Sequence, residues 1–398
     1  MSASPRPRLL YLGFLVPPQT EAKFPLTNPA GQRFEKAFLR GLSRFFDIRQ
    51  VTLLARGMAR EAPGPEPWWE GWEGLSETGS TFFHQWQSLR RLRQHWNRLG
   101  RAGWRPDVVV CYNLTPIYNA FLRSLARADP ASRRVCLMTD STWLGRRMPL
   151  GKRVRYAFKP FQVNDASMIP RLDAVIAVSH ATVQRFQSDG KPCLWMPGGC
   201  DGEAVLPIRI AEHSGPIVFG YYGALGDHAG AEELILAHQR SAGDSLLRVC
   251  GYGKKTPVLR ELVARDPRQE LRPLPATPHA SVAFGNTCDV LVNPRPASHG
   301  NENTLPSKIF SYVESGAAIL STTLGGVDAL LGETAAYADA ARLIESLSGQ
   351  IGVLGQAGRE ALRDRAEGCR RRVLRDYTWE EQTRRAAEFV LEGLRPST

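Results

Sequence analysis

Eleven short runs of this chain are apolar almost without interruption, and helical stretches separate them. In the first half they are PRLLYLGFLV, IRQVTLLA, PDVVVCYN, RRVCLMTD, DAVIAVS and PCLWMP. In the second half they are IVFGYYGA, LLRVCGYG, CDVLVNP, AAILSTT and AAYAD. A strand with one wet face alternates apolar and polar residues; a strand covered on both faces does not. Continuous runs separated by helices therefore predict parallel sheets in doubly wound α/β units. A glycine- and proline-containing stretch, PGGCDGEAVLPIRIAEHSGP (197–216), lies between the two sets and suits a linker. The expected architecture is two Rossmann-like domains in 398 residues.

No apolar run reaches the length of about 18 residues that a membrane span needs. The N-terminal run ends in Pro17-Pro18, not in the small residues of a signal peptide, and reads as a buried first strand. Seven cysteines, at 111, 136, 193, 200, 250, 288 and 369, never fall in a C-x-x-C spacing. They read as reduced, buried thiols of a cytoplasmic protein, with no metal site.

Charge is unevenly placed. Residues 1–205 carry 29 Lys and Arg against 16 Asp and Glu, a balance of +13; residues 206–398 carry 22 against 23. The basic half implies an anionic surface or ligand on that side. Segment 61–104 holds six of the nine tryptophans, and its second part adds Arg90, Arg91, Arg93, Arg98 and Arg101. It reads as an insertion ending in a basic amphipathic helix. Residues 82–104 fit an anionic membrane interface, or equally an ordinary surface helix whose aromatics pack inward. No nucleic-acid reading module is recognisable.

Ligands of open α/β sheets bind beyond the carboxyl ends of the strands. In the second half this rule selects the turns at Gly223-Ala224-Leu225-Gly226, Gly251-Tyr252-Gly253-Lys254, Asn293-Pro294-Arg295-Pro296 and Thr322 to Gly326. It also selects NENTLPSKIFSYVESG (301–316), where Pro306, Ser307 and Lys308 open a helix. Ser307 is placed to cap that helix, and its free N–H groups with Lys308 favour a phosphate.

At this point the chain resembles a family. FGYYGALGDHAGAEELILA, LRVCGYGKKTPVLREL, CDVLVNPRP and LPSKIFSYVESGAAILSTTLGGVDALL are similar to the donor-binding domain of retaining GT-B glycosyltransferases of the family 4 type. LDAVIAVSHATVQRF with LWMPGGCD, NPAGQRFEKAFLRGLS and the terminal DYTWEEQTRRAAEFVLEGL extend the likeness over nearly the whole chain, with 56–106 the weakest part. The resemblance implies a GT-B fold, with two parallel sheets facing across a cleft. The acceptor-side domain would span 1–200 and be completed by a helix at 378–396; the donor domain would span 201–377. It implies sugar transfer with retention from a nucleotide-diphosphate donor, a UDP- or GDP-sugar, with no cofactor and no metal. A saccharide or lipid-linked acceptor at the inner membrane face, in envelope polysaccharide synthesis, would follow.

Carried onto this sequence, the resemblance makes Lys308, Asp140 and Glu302 the expected reaction-centre residues. The expected donor-binding set is Gly31, Gly223, Ala224, Gly253, Lys254, Arg295, Asn303, Pro306, Ser307, Ser311 and Glu314. Asn301 would join Glu302 and Asn303 at sugar hydroxyls. Three departures accompany it. Ala224 and Ala229 stand where the family places a diphosphate-binding arginine and lysine, and Asn303 and Ser311 stand where it places two glutamates. Asn113 and Asp140 end strands where many members carry a histidine. These losses also fit a non-catalytic binding subunit with the same fold. An epimerase or hydrolase is disfavoured, because the first half lacks paired carboxylates.

Overall fold

The computed structural model describes residues 5–17, 29–54, 71–76, 84–139, 166–212, 214–275 and 277–394. The chain divides into two compact units, one of Met1–Met196 with Trp379–Thr398 and one of Pro197–Thr378.

In the first unit the elements run β1 (Arg8–Gly13), α1 (Pro29–Leu42), β2 (Asp47–Leu54), β3 (Trp72–Ser76), α2 (His84–Arg101), β4 (Val108–Tyr112), α3 (Pro116–Ala128), β5 (Arg133–Met138), β6 (Ala174–Ala177), α4 (His180–Ser188) and β7 (Cys193–Trp195). All strand pairs are parallel, in the order β3-β2-β1-β4-β5-β6-β7. Both faces are covered, which is why the runs read as continuously apolar. Leu10, Leu12, Val109 and Cys111 join one core cluster, while their chain neighbours Leu9, Tyr11, Val108 and Val110 join the other. The C-terminal helix Trp379–Glu392 closes the second of these layers with Ala386, Ala387 and Val390. It lies on α1, where Trp379 meets Phe34 edge-on at 5.0 Å.

The second unit holds β8 (Val218–Ala224), α5 (Ala231–Arg240), β9 (Leu246–Tyr252), α6 (Thr256–Val263), β10 (Gln269–Arg272), α7 (Pro278–Gly285), β11 (Val290–Asn293), α8 (His299–Glu302), α9 (Lys308–Ser315), β12 (Ala318–Thr322), α10 (Val327–Leu331), β13 (Ala336–Ala338), α11 (Leu343–Gln356) and α12 (Arg359–Asp376). Its parallel sheet has the order β10-β9-β8-β11-β12-β13. Arginines satisfy helix carboxyl ends: Arg370 donates to Val313 O at the end of α9, and Arg372 to Ala329 O and Leu330 O at the end of α10.

Two strands carry no apolar signal. β3 (WEGLS) and β10 (QELR) are the outermost strands of their sheets. An edge strand is held by backbone pairing on one side and tolerates polar side chains. The tryptophan-rich segment is thereby partly strand. Trp96 and Trp104 are buried in the core with Leu92 and Leu99, so most of the described aromatics pack inward. All seven cysteines are free thiols, six of them buried. No helix among the described residues is long and apolar enough to cross a membrane.

Candidate functional site

In each sheet the strand order reverses at one place, and a crevice opens there between helices that leave on opposite faces. In the second unit the reversal lies between β8 and β11. The sequence puts Gly223 and Ala224 at the end of β8, and Asn293, Pro294 and Arg295 at the end of β11. Lys308, the first residue of α9, reaches the same place. Its Nζ lies 4.0 Å from the centre of the Tyr221 ring and 3.6 Å from where a Cβ on Gly223 would stand. The Tyr221 hydroxyl donates to Ala224 O at 2.7 Å. Arg295 Nη1 donates to Thr304 O at 3.0 Å and to Thr304 Oγ1 at 3.1 Å, which ties the strand end to the loop before α9.

Both cations are held in a costly state. Burial, with Arg295 nearby, depresses Lys308 well below the usual lysine range, although part of the residue's surface remains open to solvent. Burial lowers Arg295 to about 10. Among the described residues neither is paired with a carboxylate. Asn293 Oδ1, at the end of β11, and Thr322 Oγ1, at the end of β12, are buried without a hydrogen-bond partner. Two desolvated positive charges with no described carboxylate form a site suited to an anion.

Glycines make the close approach possible. Gly230 has φ 76°, and a Cβ there would fall on Pro294 O, so α5 starts against the β11 turn. Gly253 has φ 155°, and a Cβ there would lie 2.5 Å from Leu225 O.

The other expected residues are distributed unevenly. Ser307 occupies the cap position of α9 without making a side-chain cap hydrogen bond. Its own φ/ψ of −57°/−23° is helical, whereas a capping side chain needs an extended backbone. The first turn is closed by Ile309 N to Pro306 O at 3.1 Å and Phe310 N to Ser307 O at 3.3 Å. Ser311 Oγ accepts from the Tyr222 hydroxyl at 3.0 Å and donates to Lys308 O at 2.9 Å. Glu314 is buried, and its Oε1 accepts from Asp201 N at 2.9 Å. Lys254 is exposed and paired with Asp227, which also meets Lys255 Nζ at 3.2 Å. Asn301 braces its loop, its Nδ2 donating to His228 O at 3.0 Å and Pro296 O at 2.8 Å. Glu302, on α8, is exposed, and Asn303 follows it. Ala229 is buried against the core, and Ala224 is exposed at its strand end. Asp140 lies outside the described residues, as do 82 and 83 of the basic segment. Tyr221 was not anticipated, because it sits inside an apolar run and reads there as core. Asn293, Thr304 and Thr322 lie in the selected turns and loop, but their hydrogen-bonding states become visible only when neighbouring strand ends are brought together.

In the first unit the reversal lies between β1 and β4. Gly31 belongs to the first turn of α1, the helix that follows β1. Beyond β4, Asn113 takes the left-handed φ of 59°, and its Oδ1 accepts from Thr139 N at 2.9 Å. Gly13 O, at the end of β1, accepts from the Tyr118 hydroxyl at 2.5 Å.

Two units, each a parallel sheet between helices, define the fold of GT-B glycosyltransferases. Over 97% of this chain and 100% of its own, HepE of Anabaena, crystallised with UDP, superposes with a TM-score of 0.68 at 14% identity. Sucrose-phosphate synthase of Thermosynechococcus elongatus gives 0.71 at 12% identity, over 97% of this chain and 98% of its own. The lipopolysaccharide outer core galactosyltransferase WaaB gives 0.66 at 11%, over 97% and 99%. No protein-family model matches the sequence, and no curated protein matches it in sequence.

Proposed function

We propose that this protein is a glycosyltransferase that takes a sugar from a nucleoside-diphosphate donor, with UDP-sugars the first to test. The observation that carries this reading is the pair Lys308 and Arg295, uncompensated by any described carboxylate at the switch point of the second unit. A diphosphate placed there returns to both cations the interaction energy that burial removed. It also gives the leaving group charge stabilisation that is in place before reaction. Lys308 and Arg295 thus take over the task that Ala224 and Ala229 cannot perform. Gly223 and Gly253 leave room at the strand ends. Glu302 and Asn303 face the sugar hydroxyls, and Ser311 and Glu314 are the candidates for the ribose. Retention of configuration, and a role for Asp140 at the acceptor, rest on the family resemblance.

We further infer a saccharide or lipid-linked acceptor presented at an anionic membrane surface. Support comes from α2 and α3, neither of which contains an acidic residue. Trp86, Arg90, Arg93, Asn97 and Arg101 form one exposed stripe of α2 at helical spacing, and Arg123 and Arg127 are exposed on the adjoining α3. Trp86 is 59% exposed, with the Arg90 guanidinium 5.5 Å from its ring centre.

Calorimetric titration of the full chain with UDP, GDP and their sugars, wild type against Lys308→Ala, tests the donor reading. Binding by the wild type that the variant loses is the expected result. A wild type that binds no nucleotide or nucleotide sugar overturns the reading.

A further inference from the structure

The first unit contains a buried carboxylate that no part of the donor reading uses. Glu35 projects from α1 beneath the end of β1 and is only 1% exposed. Its Oε2 accepts from the Tyr11 hydroxyl at 3.0 Å and from Phe14 N at 2.9 Å, and the Leu15 backbone also donates to the carboxylate. Gly13 creates the space, since a Cβ there would collide with Oε2. One turn earlier on the same helix, Gln32 completes the grip. Its Nε2 donates to Phe14 O at 2.8 Å and its Oε1 accepts from Val16 N at 2.9 Å. The chain leaving β1 is therefore held residue by residue from below, at the β1–β4 switch point.

We propose that Glu35 is a positioning residue: its buried carboxyl group fixes the backbone of Phe14 and Leu15, and so shapes the carboxyl edge of the first sheet. The consequence for sugar transfer rests on the reading above; the local claim does not. Among the described residues no cation compensates Glu35. The titratable group facing it from β1 is Tyr11, with Tyr112 of β4 and Tyr118 of α3 behind that phenol. On the C-terminal helix packed against α1, Glu380 pairs with Arg44, and Glu381 and Glu388 pair with Arg384. Burial pushes Glu35 up to about 7, against the opposing pull of the Phe14, Tyr11 and Leu15 donors. Tyr11 is raised far above its ordinary range by burial and then by Glu35, so it stays a donor throughout. An opening that lets water reach the carboxyl group is favoured once Glu35 ionises, because burial opposes the charged form more than its donors support it. The turn should therefore loosen as pH rises through neutrality.

The test is amide hydrogen exchange of the full chain between about pH 5.5 and pH 8.5, corrected for intrinsic rates and read on the segment 12–17. Wild-type protection there is expected to fall by about tenfold or more across neutrality, as the closed turn loses the advantage of its protonated carboxyl group. Glu35→Gln should stay at the low-pH level throughout. Flat or rising protection in the wild type, or the same fall in the variant, overturns the proposal; the wild-type series decides by itself should the variant not fold. No substrate is present, so this outcome is independent of donor binding. Given an active donor and acceptor, kcat/KM of the wild type should fall above neutral pH and Glu35→Gln should lack that limb. An unchanged alkaline limb in Glu35→Gln refutes the catalytic consequence alone.

Discussion

Lys308 Nζ sits 4.0 Å from the centre of the Tyr221 ring, and the same ring's hydroxyl is committed to Ala224 O. The ammonium thus faces an aromatic surface, with Arg295 close enough to depress it further. A ring offers a cation partial compensation, worth about 0.5–2 kcal/mol. That is far less than a paired anion gives in a desolvated site, so the resting site is a destabilised one waiting for charge.

Lys308→Met should separate function from stability. Removing an uncompensated, desolvated cation while keeping the side-chain volume is expected to raise the thermal midpoint. It should weaken nucleotide-sugar binding by about tenfold or more, the scale of one charge-assisted contact. Differential scanning fluorimetry and calorimetric titration read the two effects on one sample. A lowered midpoint, or unchanged donor affinity, contradicts the assignment.

Donor binding should take up protons. Lys308 is depressed in the free protein and regains its ordinary basicity when a diphosphate neutralises the site. Affinity should therefore fall as pH rises, and titrations over a pH series in buffers of different ionisation enthalpy should show net uptake that grows towards alkaline pH. Lys308→Met should abolish it.

Gly230→Ala should cost about 2 kcal/mol or more, because φ 76° and the Pro294 carbonyl both exclude a Cβ. The shift falls on the turn that carries Arg295, so donor binding should weaken along with the urea midpoint. A variant as stable as the wild type would show that the β11 turn moves freely.

Glu35→Gln has a stability signature whose sign is fixed. The folded carboxyl, raised to about 7 from 4.5, holds its proton where the unfolded chain has lost it. Stability from this group is present below 4.5 and declines as pH rises through 7, by on the order of 3 kcal/mol. His95 and His238, both lowered to about 4 by burial, act in the opposite sense as pH falls. The informative quantity is thus the difference between variant and wild type. It should favour Glu35→Gln at about pH 8.5 relative to pH 5, in urea unfolding monitored at each pH.

The exposed arginines of α2 give a prediction about surfaces. Flotation with vesicles containing phosphatidylglycerol should recover the protein, and neutral phosphatidylcholine vesicles should not. Reversing Arg90 and Arg93 to Glu should reduce recovery steeply, since each juxtamembrane arginine is worth about 1 kcal/mol at an anionic surface. Equal recovery on neutral lipid, or none on either, ends the docking idea.

Periodicity by itself determined much of this protein. Continuously apolar runs state that a strand is covered on both faces, and the core clusters around Leu9–Leu12 and Val108–Cys111 are the direct result. The same signal is silent about β3 and β10, because edge strands are held by backbone bonds that any side chain permits. The strand-end rule put Lys308 and Arg295 on one sheet edge but could not say that the two come close enough to interact. Which strands are neighbours is decided by chain crossovers spanning many residues, and only the β8–β11 adjacency brings Arg295, Tyr221, Gly223 and Lys308 to one edge. Ser307 shows the same division: its residue type predicts a cap, but the backbone angle that governs capping is set by the loop's tertiary anchoring through Thr304 and Arg295. Glu35 is the clearest case. In sequence it is one acid on an amphipathic helix; burial beneath Gly13 and the hydrogen bonds from Tyr11 and Phe14 make it a group that titrates near neutrality. Local patterns choose elements because neighbouring residues alone set them, whereas charge, desolvation and hydrogen-bond partners come from residues far apart in the chain.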